Sequence, residues 1–357
     1  MTPDVIVTWL QSDYGQLGRP AESIAHALVD HGIARRVAYV EPYKVGEGVP
    51  ALQHRIIRGL NVFSGSGPAI ATGEIARAVI GTAQLEDPIL LNFGVGEPNW
   101  AFLHEFRPYC ERTVLLTHDR LSTWDAFASG RDEMERIRRG LIGASDLVLG
   151  LSQGSIEDVP DAEYVGHGCD DAWTRPGVDD AAEPFDLAHV PHPRAVYVGA
   201  LSVRVEAEAL RALARSGVSV VLVGFAPSAA VDAVIASEPN VHFLGPRAPD
   251  QTPAYLLHSD VGIIPHTDEP FTYSMEPHKA YNYACAGLRT VTLNVAHAPA
   301  LDGWLTRTSD VESFVAAVHD APRLDADDTA AAREITWASV AEKIVRYAVA
   351  GVATTRY

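Results

Sequence analysis

Lys279 stands at the start of a run, Pro277 to Gly287, in which Ala280, Tyr281, Ala284 and Cys285 recur at spacings of one, three and four. A proline suited to the first turn opens the run and Gly287 closes it, so the pattern predicts a helix. Ahead of it lie the apolar run VGII (Val261 to Ile264), closed by Pro265, and a loop, HTDEPFTY, without hydrophobic period. The order is strand, long loop, helix N-terminus. Such an end offers unpaired amides and the positive pole of the helix dipole, which suits a phosphate, and Lys279 adds a full positive charge to the first turn. A lysine there is electrostatically disfavoured unless an anion answers it; the plainer alternative is a solvated lysine on a surface helix.

His118 and Asp119 are a second group with chemistry, because they directly follow the apolar strand Val114 to Thr117. A histidine at a strand's carboxyl end can hydrogen-bond a hydroxyl or carry its proton, or it can be a loop residue satisfied by backbone. Asp13, beside Tyr14, and Asp125 are further carboxylates in polar loops, with a surface position the plainer reading of each. The other histidines, including His54, His189, His192 and His266, show no metal-ligand spacing, so no catalytic metal is expected. Tyr281 and Tyr283 read as core by helical spacing, whereas Tyr273 suits the wall of a cleft.

These residues need a frame. Val5 to Leu10 is a buried-type strand, followed by a polar loop carrying Gly15, a helix from Pro20 to Asp30 and a strand at Val37 to Val40. That is the opening of a doubly wound domain, without the G-x-G-x-x-G fingerprint. Strands at Ile89 to Phe93, Val114 to Thr117 and Leu147 to Leu151 alternate with helical stretches such as Asp132 to Leu141, which indicates a mostly parallel sheet. The Pro-, Gly- and Asp-rich texture between Val159 and Pro193 reads as a linker. A second alternating series then runs from Ala195 to Leu293, with loops Gly199 to Arg204, Gly245 to Arg247 and His266 to Ser274 at the carboxyl ends of its strands, where such sheets bind ligands.

Composition sets the outer limits. A chain of 357 residues with 47% hydrophobic content can fill two cores, and a net charge of -18 argues against nucleic acid or an anionic membrane as partner. Cys110, Cys169 and Cys285 fit neither a disulfide framework nor a zinc pattern, which suits a reducing cytoplasm. No stretch has the length of a transmembrane helix, and the N-terminus lacks the form of a signal peptide.

Three segments, YVGALSVRVEAEALRALARSGVSVVLVG, VHFLGPRAPDQTPAYLLHSDVGIIPH and EPHKAYNYACAGLRTVTLN, resemble the donor half of a GT-B glycosyltransferase, with the nearest likeness to family four and its teichuronic acid and cell-surface polysaccharide relatives. The order of the first half agrees, VGHGCDDAW is similar to the family's entry into the second domain, and the late helix from Thr336 to Tyr347 is similar to one that crosses back to the first. The resemblance implies two Rossmann-like domains facing a central cleft: residues 1–180 for the acceptor, 190–335 for the nucleotide-sugar donor, and 336–357 returning to the first.

Carried over position by position, the resemblance gives Lys279 to the donor diphosphate, Arg204 to the same phosphates from the opposite loop, and His118 and Asp119 to the sugar or acceptor. Gly15, Gly199, Gly245, Arg247, Ser274, Met275 and Asn282 join the donor side; Asp13, Tyr14 and Asp125 are acceptor-side candidates. Ser274 and Asn282 stand where the family has two glutamates, so both carboxylates are missing. The implied activity is sugar transfer from a UDP-, GDP- or TDP-linked donor to a glycan, lipid-linked or small natural-product hydroxyl, with retention, without metal or other cofactor, in the cytoplasm. A nucleotide-sugar epimerase or hydrolase, or a silent nucleotide-sugar-binding subunit, would fit the same fold.

Overall fold

In the computed structural model, which describes residues 2–9, 13–15, 20–45, 51–67 and 73–350, the first apolar run becomes β1 (Asp4–Trp9), buried at every position. In order there follow α1 (Pro20–Asp30), β2 (Arg36–Val45), β3 (Ala51–Ile57), β4 (Leu60–Gly67), α2 (Glu74–Ala83), β5 (Ile89–Phe93), α3 (Glu97–Phe106), β6 (Arg112–Thr117), α4 (Arg131–Ala144), β7 (Leu147–Gly150) and β8 (Glu163–Tyr164). Among the described residues they form an eight-stranded sheet of order β3-β4-β2-β1-β5-β6-β7-β8, parallel throughout except for the antiparallel β3–β4 pair. Helices cover both faces, which is why the central strands read as continuous apolar runs without alternation.

The β3–β4 hairpin is not foreseen by the sequence reading. Its two-residue loop, Arg58 and Gly59, has both residues at positive φ (49° and 81°), a conformation that Asn-Gly or Asp-Gly would advertise and Arg-Gly does not.

This unit comprises the chain up to Gly166 and again from Trp337 on. The closing helix, Trp337–Ala350, buries Trp337, Val340, Ala341, Ile344 and Ala348, a stripe at helical spacing, in the same cluster as Val5, Trp9, Ile24 and Leu28.

The second unit spans His167–Thr336. It holds β9 (Arg194–Ala200), α5 (Ala207–Arg215), β10 (Ser219–Phe225), α6 (Ala229–Ser237), β11 (Val241–Gly245), α7 (Thr252–Leu257), β12 (Val261–Pro265), α8 (Lys279–Cys285), β13 (Thr290–Leu293), β14 (Leu305–Thr308), α9 (Val311–His319) and α10 (Ala326–Glu334). Among the described residues the strands form a six-stranded, wholly parallel sheet of order β11-β10-β9-β12-β13-β14. From His167 on, the stretch read as a linker is part of this unit. Trp173, Leu187 and Val190 are buried in one cluster with Tyr281 and Tyr283, held there by short 3-10 turns that leave no periodic signature. No helix of the described residues is long and apolar enough to cross a membrane.

Candidate functional site

The order of the second sheet reverses between β9 and β12, so the connections that leave these strands go to opposite sides. A crevice at the carboxyl ends follows from that reversal. Three side chains with chemistry meet there: Arg204 from the loop after β9, His266 at the end of β12, and Lys279 at the start of α8.

Lys279 is aimed by its neighbour one turn on. Tyr283 lies on the same helix face, four residues away. Its ring rests on Gly262 of β12, where an added Cβ would come within 2.3 Å of ring carbon Cδ2, and its hydroxyl accepts from Val198 N of β9 at 2.8 Å. With α8 pinned so, Lys279 reaches across the end of β9. Its Nζ donates to the Tyr197 hydroxyl at 3.2 Å and sits 4.4 Å from that ring's centre, and its Cε would be 3.3 Å from a Cβ on Gly199. Lys279 is half-buried and has no carboxylate partner among the described residues. Glycine is required twice here. Gly199 has φ +135°, and a Cβ on Gly224 would come within 1.8 Å of Gly199 O.

The helix N-terminus itself contributes less than the sequence suggests. α8 begins at Lys279, not Pro277, and is seven residues long. Ala280 and Tyr281 return their amide hydrogens to Pro277 O and His278 O, and Ser274 N donates to Phe271 O at 3.0 Å. The amides of Ser274, Ala280 and Tyr281 are thus taken, and the full positive charges at this edge are those of Arg204 and Lys279.

Arg204 is held from below. Thr267 N donates to Arg204 O at 2.9 Å, and a short antiparallel bridge joins Val205 to His266. Its guanidinium lies 3.5 Å from the Met275 sulfur and 5.7 Å from the centre of the Phe271 ring. His266 N donates to Leu293 O, and Asn294 Nδ2 donates to His266 O at 3.0 Å. The His266 ring is 3% exposed. Burial first, and then the charges of Lys279 and Arg204, hold its imidazole well below the ordinary value near 6.5, so it is neutral at pH 7. Metal-ligand spacing does not single out His266 in the sequence. The position directly after an apolar strand was the available signal.

Asn282 faces another partner. Its Oδ1 accepts from Asp170 N at 3.0 Å and its Nδ2 donates to Asp170 Oδ2 at 2.7 Å, so both polar ends are engaged within the unit. Asp170 also lies 3.2 Å from His278 Nε2. Burial works against a charge on His278, and the Asp170 carboxylate outweighs it, leaving this imidazole above its ordinary value. Ser274 Oγ donates to Phe271 O at 2.8 Å. Arg247, after Gly245 (φ +77°), hydrogen-bonds the Tyr255 hydroxyl at 2.5 Å and pairs with Asp186. Tyr281 and Tyr283 are core, and Tyr273 is exposed.

In the first unit His118 Nδ1 lies 3.0 Å from Asp119 Oδ2, and the imidazole stacks on Trp9 with ring centres 5.4 Å apart. Ser152 Oγ donates to His118 O at 2.7 Å, which fixes the loop after β6. In the loop after β1, Tyr14 N donates to Glu41 Oε1 at 2.6 Å and Gly15 N (φ +82°) to Glu22 Oε1 at 3.0 Å. Gly15, which the resemblance puts on the donor side, thus already has an anion at its amide. Residues 10–12 and 16–19 of that loop lie outside the described residues. Asp13 pairs with Lys44 at 3.4 Å and Asp125 with Arg131 at 3.2 Å, both near solvent.

Residues 192–321, which include Arg204, His266 and Lys279, match the family described as "Glycosyl transferases group 1". No curated protein matches the chain. Among solved structures, a trehalose-6-phosphate synthase superposes with a TM-score of 0.70 at 11% identity, covering 99% of this chain and 100% of that one. A sucrose-phosphate synthase from Thermosynechococcus elongatus gives 0.69 at 13% identity, with 97% and 98% covered. A UDP-forming α,α-trehalose-phosphate synthase from Burkholderia vietnamiensis gives 0.65 at 12%, with 98% and 99% covered. The likeness is one of fold, two Rossmann-like α/β domains of the GT-B kind.

Proposed function

We propose that the protein is a glycosyltransferase that moves a sugar from a nucleotide-sugar donor to an acceptor hydroxyl, with retention at the anomeric carbon and without metal or other cofactor. The observation that carries the reading is Lys279, laid across Gly199 at the reversal of the second sheet and without a carboxylate partner among the described residues. A leaving nucleoside diphosphate gains negative charge as the glycosidic bond breaks, and fixed cations beside it lower that barrier. Arg204 supplies the second charge, and Gly199, Gly245 and Met275 line the same edge. In this reading Ser274, Arg247 and Asn282 shape the wall through Phe271, Asp186 and Asp170 instead of touching the donor.

His118, with Asp119 on its Nδ1, offers Nε2 to a sugar or acceptor hydroxyl. The donor is uridine-, guanosine- or thymidine-linked; the acceptor is a glycan, a lipid-linked sugar or a small natural product; the compartment is the cytoplasm. Kinship with family four and the teichuronic acid type belongs to the same proposal. The first unit serves the acceptor and the second the donor.

A catalytically silent nucleotide-sugar-binding subunit is the second reading, favoured by Ser274 and Asn282 where the resembled family has glutamates and by the commitment of Asn282 to Asp170. A panel of nucleotide sugars, with and without candidate acceptors, separates the two. Acceptor-dependent release of nucleoside diphosphate is the expected result, and His118→Ala should lower turnover far more than affinity for the free diphosphate. Saturable binding without turnover on any acceptor would favour the silent subunit, and acceptor-independent turnover an epimerase or hydrolase.

A further inference from the structure

His266 is a buried titratable group that this chemistry leaves unused. Among the described residues neither of its ring nitrogens makes a hydrogen bond, and Nδ1 is fully enclosed. A buried polar group without a partner is costly, and its retention asks for a reason. Its backbone is fixed on three sides, by Val205, Leu293 and Asn294, so the ring does not choose its place freely.

We propose that His266 is the proton-taking member of the donor site, a neutral imidazole beside Arg204 and Lys279 that becomes imidazolium when a nucleoside diphosphate binds those two cations. The inference rests on the donor-site reading above. Its physical basis is the charge around the ring. Arg204, in the loop after β9, and Lys279, on α8, both act on it, and both are positive. The carboxylates on the surrounding elements have their own partners. Glu206 caps Glu208 N at the start of α5, Asp268 accepts from the Tyr273 hydroxyl, Glu269 from Thr267 Oγ1, and Glu276 from the Tyr281 hydroxyl. His278 is paired with Asp170. Burial first, and then two cations with no facing carboxylate among the described residues, keep the proton off His266. An anion of charge two between the cations cancels their charge at the ring and one of charge three outweighs it, and binding then draws a proton in.

The sign follows from linkage. A group whose proton affinity is higher in the complex than in the free protein makes binding tighter as pH falls through the interval between its two pKa values. One coupled proton changes the dissociation constant by at most about tenfold per pH unit. Protonation of the nucleotide's own terminal phosphate affects parent and variant alike and cancels in their ratio.

The test is calorimetric titration of the full chain with uridine diphosphate at pH 8.5, 7.5 and 6.5, on the parent, His266→Phe and His266→Gln. The phenylalanine variant keeps an aromatic ring without a titratable nitrogen. The expected result is that the ratio of variant to parent dissociation constant rises about threefold or more between pH 8.5 and 6.5, with the parent taking up more protons than either variant. Nitrogen-15 NMR of the parent's imidazoles should move one ring, His266, toward imidazolium on addition of uridine diphosphate, and this readout decides if both variants fail to fold. A flat ratio, or a His266 ring that stays neutral at pH 6.5 in the saturated complex, overturns the inference. Should Lys279→Ala remain impaired in that case, the donor site itself stands. If Lys279→Ala and Arg204→Ala bind as the parent does, or the parent binds none of the uridine, guanosine and thymidine diphosphates, the donor-site reading falls and takes this inference with it.

Discussion

The two units are both doubly wound and end in opposite chemistry. At the reversal of the first sheet, between β1 and β5, the amides of Tyr14 and Gly15 are taken by Glu41 and Glu22, carboxylates that are only 2% and 7% exposed. At the reversal of the second, between β9 and β12, the groups in place are Arg204, Lys279 and a neutral His266. The glycine-containing loop of the first unit carries its own anions; the second unit presents cations, with Lys279 lacking one. A glycine after the first strand is therefore no evidence of phosphate binding unless the acidic residues that could fill it are also considered.

The largest effect is expected from a change that breaks the second mouth outright. In Gly224→Ala the new Cβ would meet a backbone carbonyl, so relief requires moving β9 or β10, and a loss of about 3 kcal/mol or more of unfolding free energy is predicted, with loss of diphosphate binding. Gly15→Ala, at φ +82° with nothing within 4 Å of the added Cβ, should cost only about 1 kcal/mol and leave binding unchanged. Thermal unfolding and calorimetric titration of both variants check the pair. Equal loss of binding in the two would erase the contrast between the mouths.

A smaller effect sharpens the other side of the comparison. Glu41→Ala removes the acceptor for Tyr14 N and the partner of Arg55, 2.7 Å away, and should destabilise the first unit by roughly 1–3 kcal/mol. If the carboxylate serves only its own loop, uridine diphosphate affinity stays within error of the parent. A marked change in affinity would mean that the first loop takes part in anion binding.

The fold was legible because buried parallel strands and amphipathic helices carry the two periodicities that side chains must obey, and β5, α1 and β12 fall where the pattern puts them. The β3–β4 hairpin and β14 escaped, one for want of a recognisable turn sequence and the other because LTRT is short and half-exposed. At the site, Lys279 was marked by its charge near a helix start. What no pattern could give was the partner of each side chain. The resemblance puts Asn282 on the donor side, and in the structure it holds Asp170, 112 positions earlier in the chain. Asn282→Ala should accordingly cost about 1 kcal/mol of stability and change nucleotide affinity much less than Lys279→Ala does. A reversal of that order in titration and unfolding experiments would return Asn282 to the donor.

The smallest predicted effects are in the pH dependence of the second unit, where the buried His266 and the half-buried His278 are shifted in opposite directions. His278 is raised above the unfolded value of about 6.5, so its contribution to stability is complete below that pH and is lost as pH rises through its folded value. His266 is lowered, so its contribution is complete above about 6.5 and is lost as pH falls through its folded value. His278→Gln should flatten the alkaline side of the stability profile and His266→Phe the acid side. An identical profile in parent and variants would remove both assignments.

The central claim is that the anion belongs to the second mouth, and the most direct measurement is the uridine diphosphate affinity of Lys279→Ala and Arg204→Ala against Glu41→Ala. A charge-assisted hydrogen bond to an ion is worth roughly 1.5–3 kcal/mol, so each cation variant should bind about ten- to a hundredfold more weakly while the carboxylate variant binds as the parent does. Folded cation variants that bind with the parent's affinity would contradict the account.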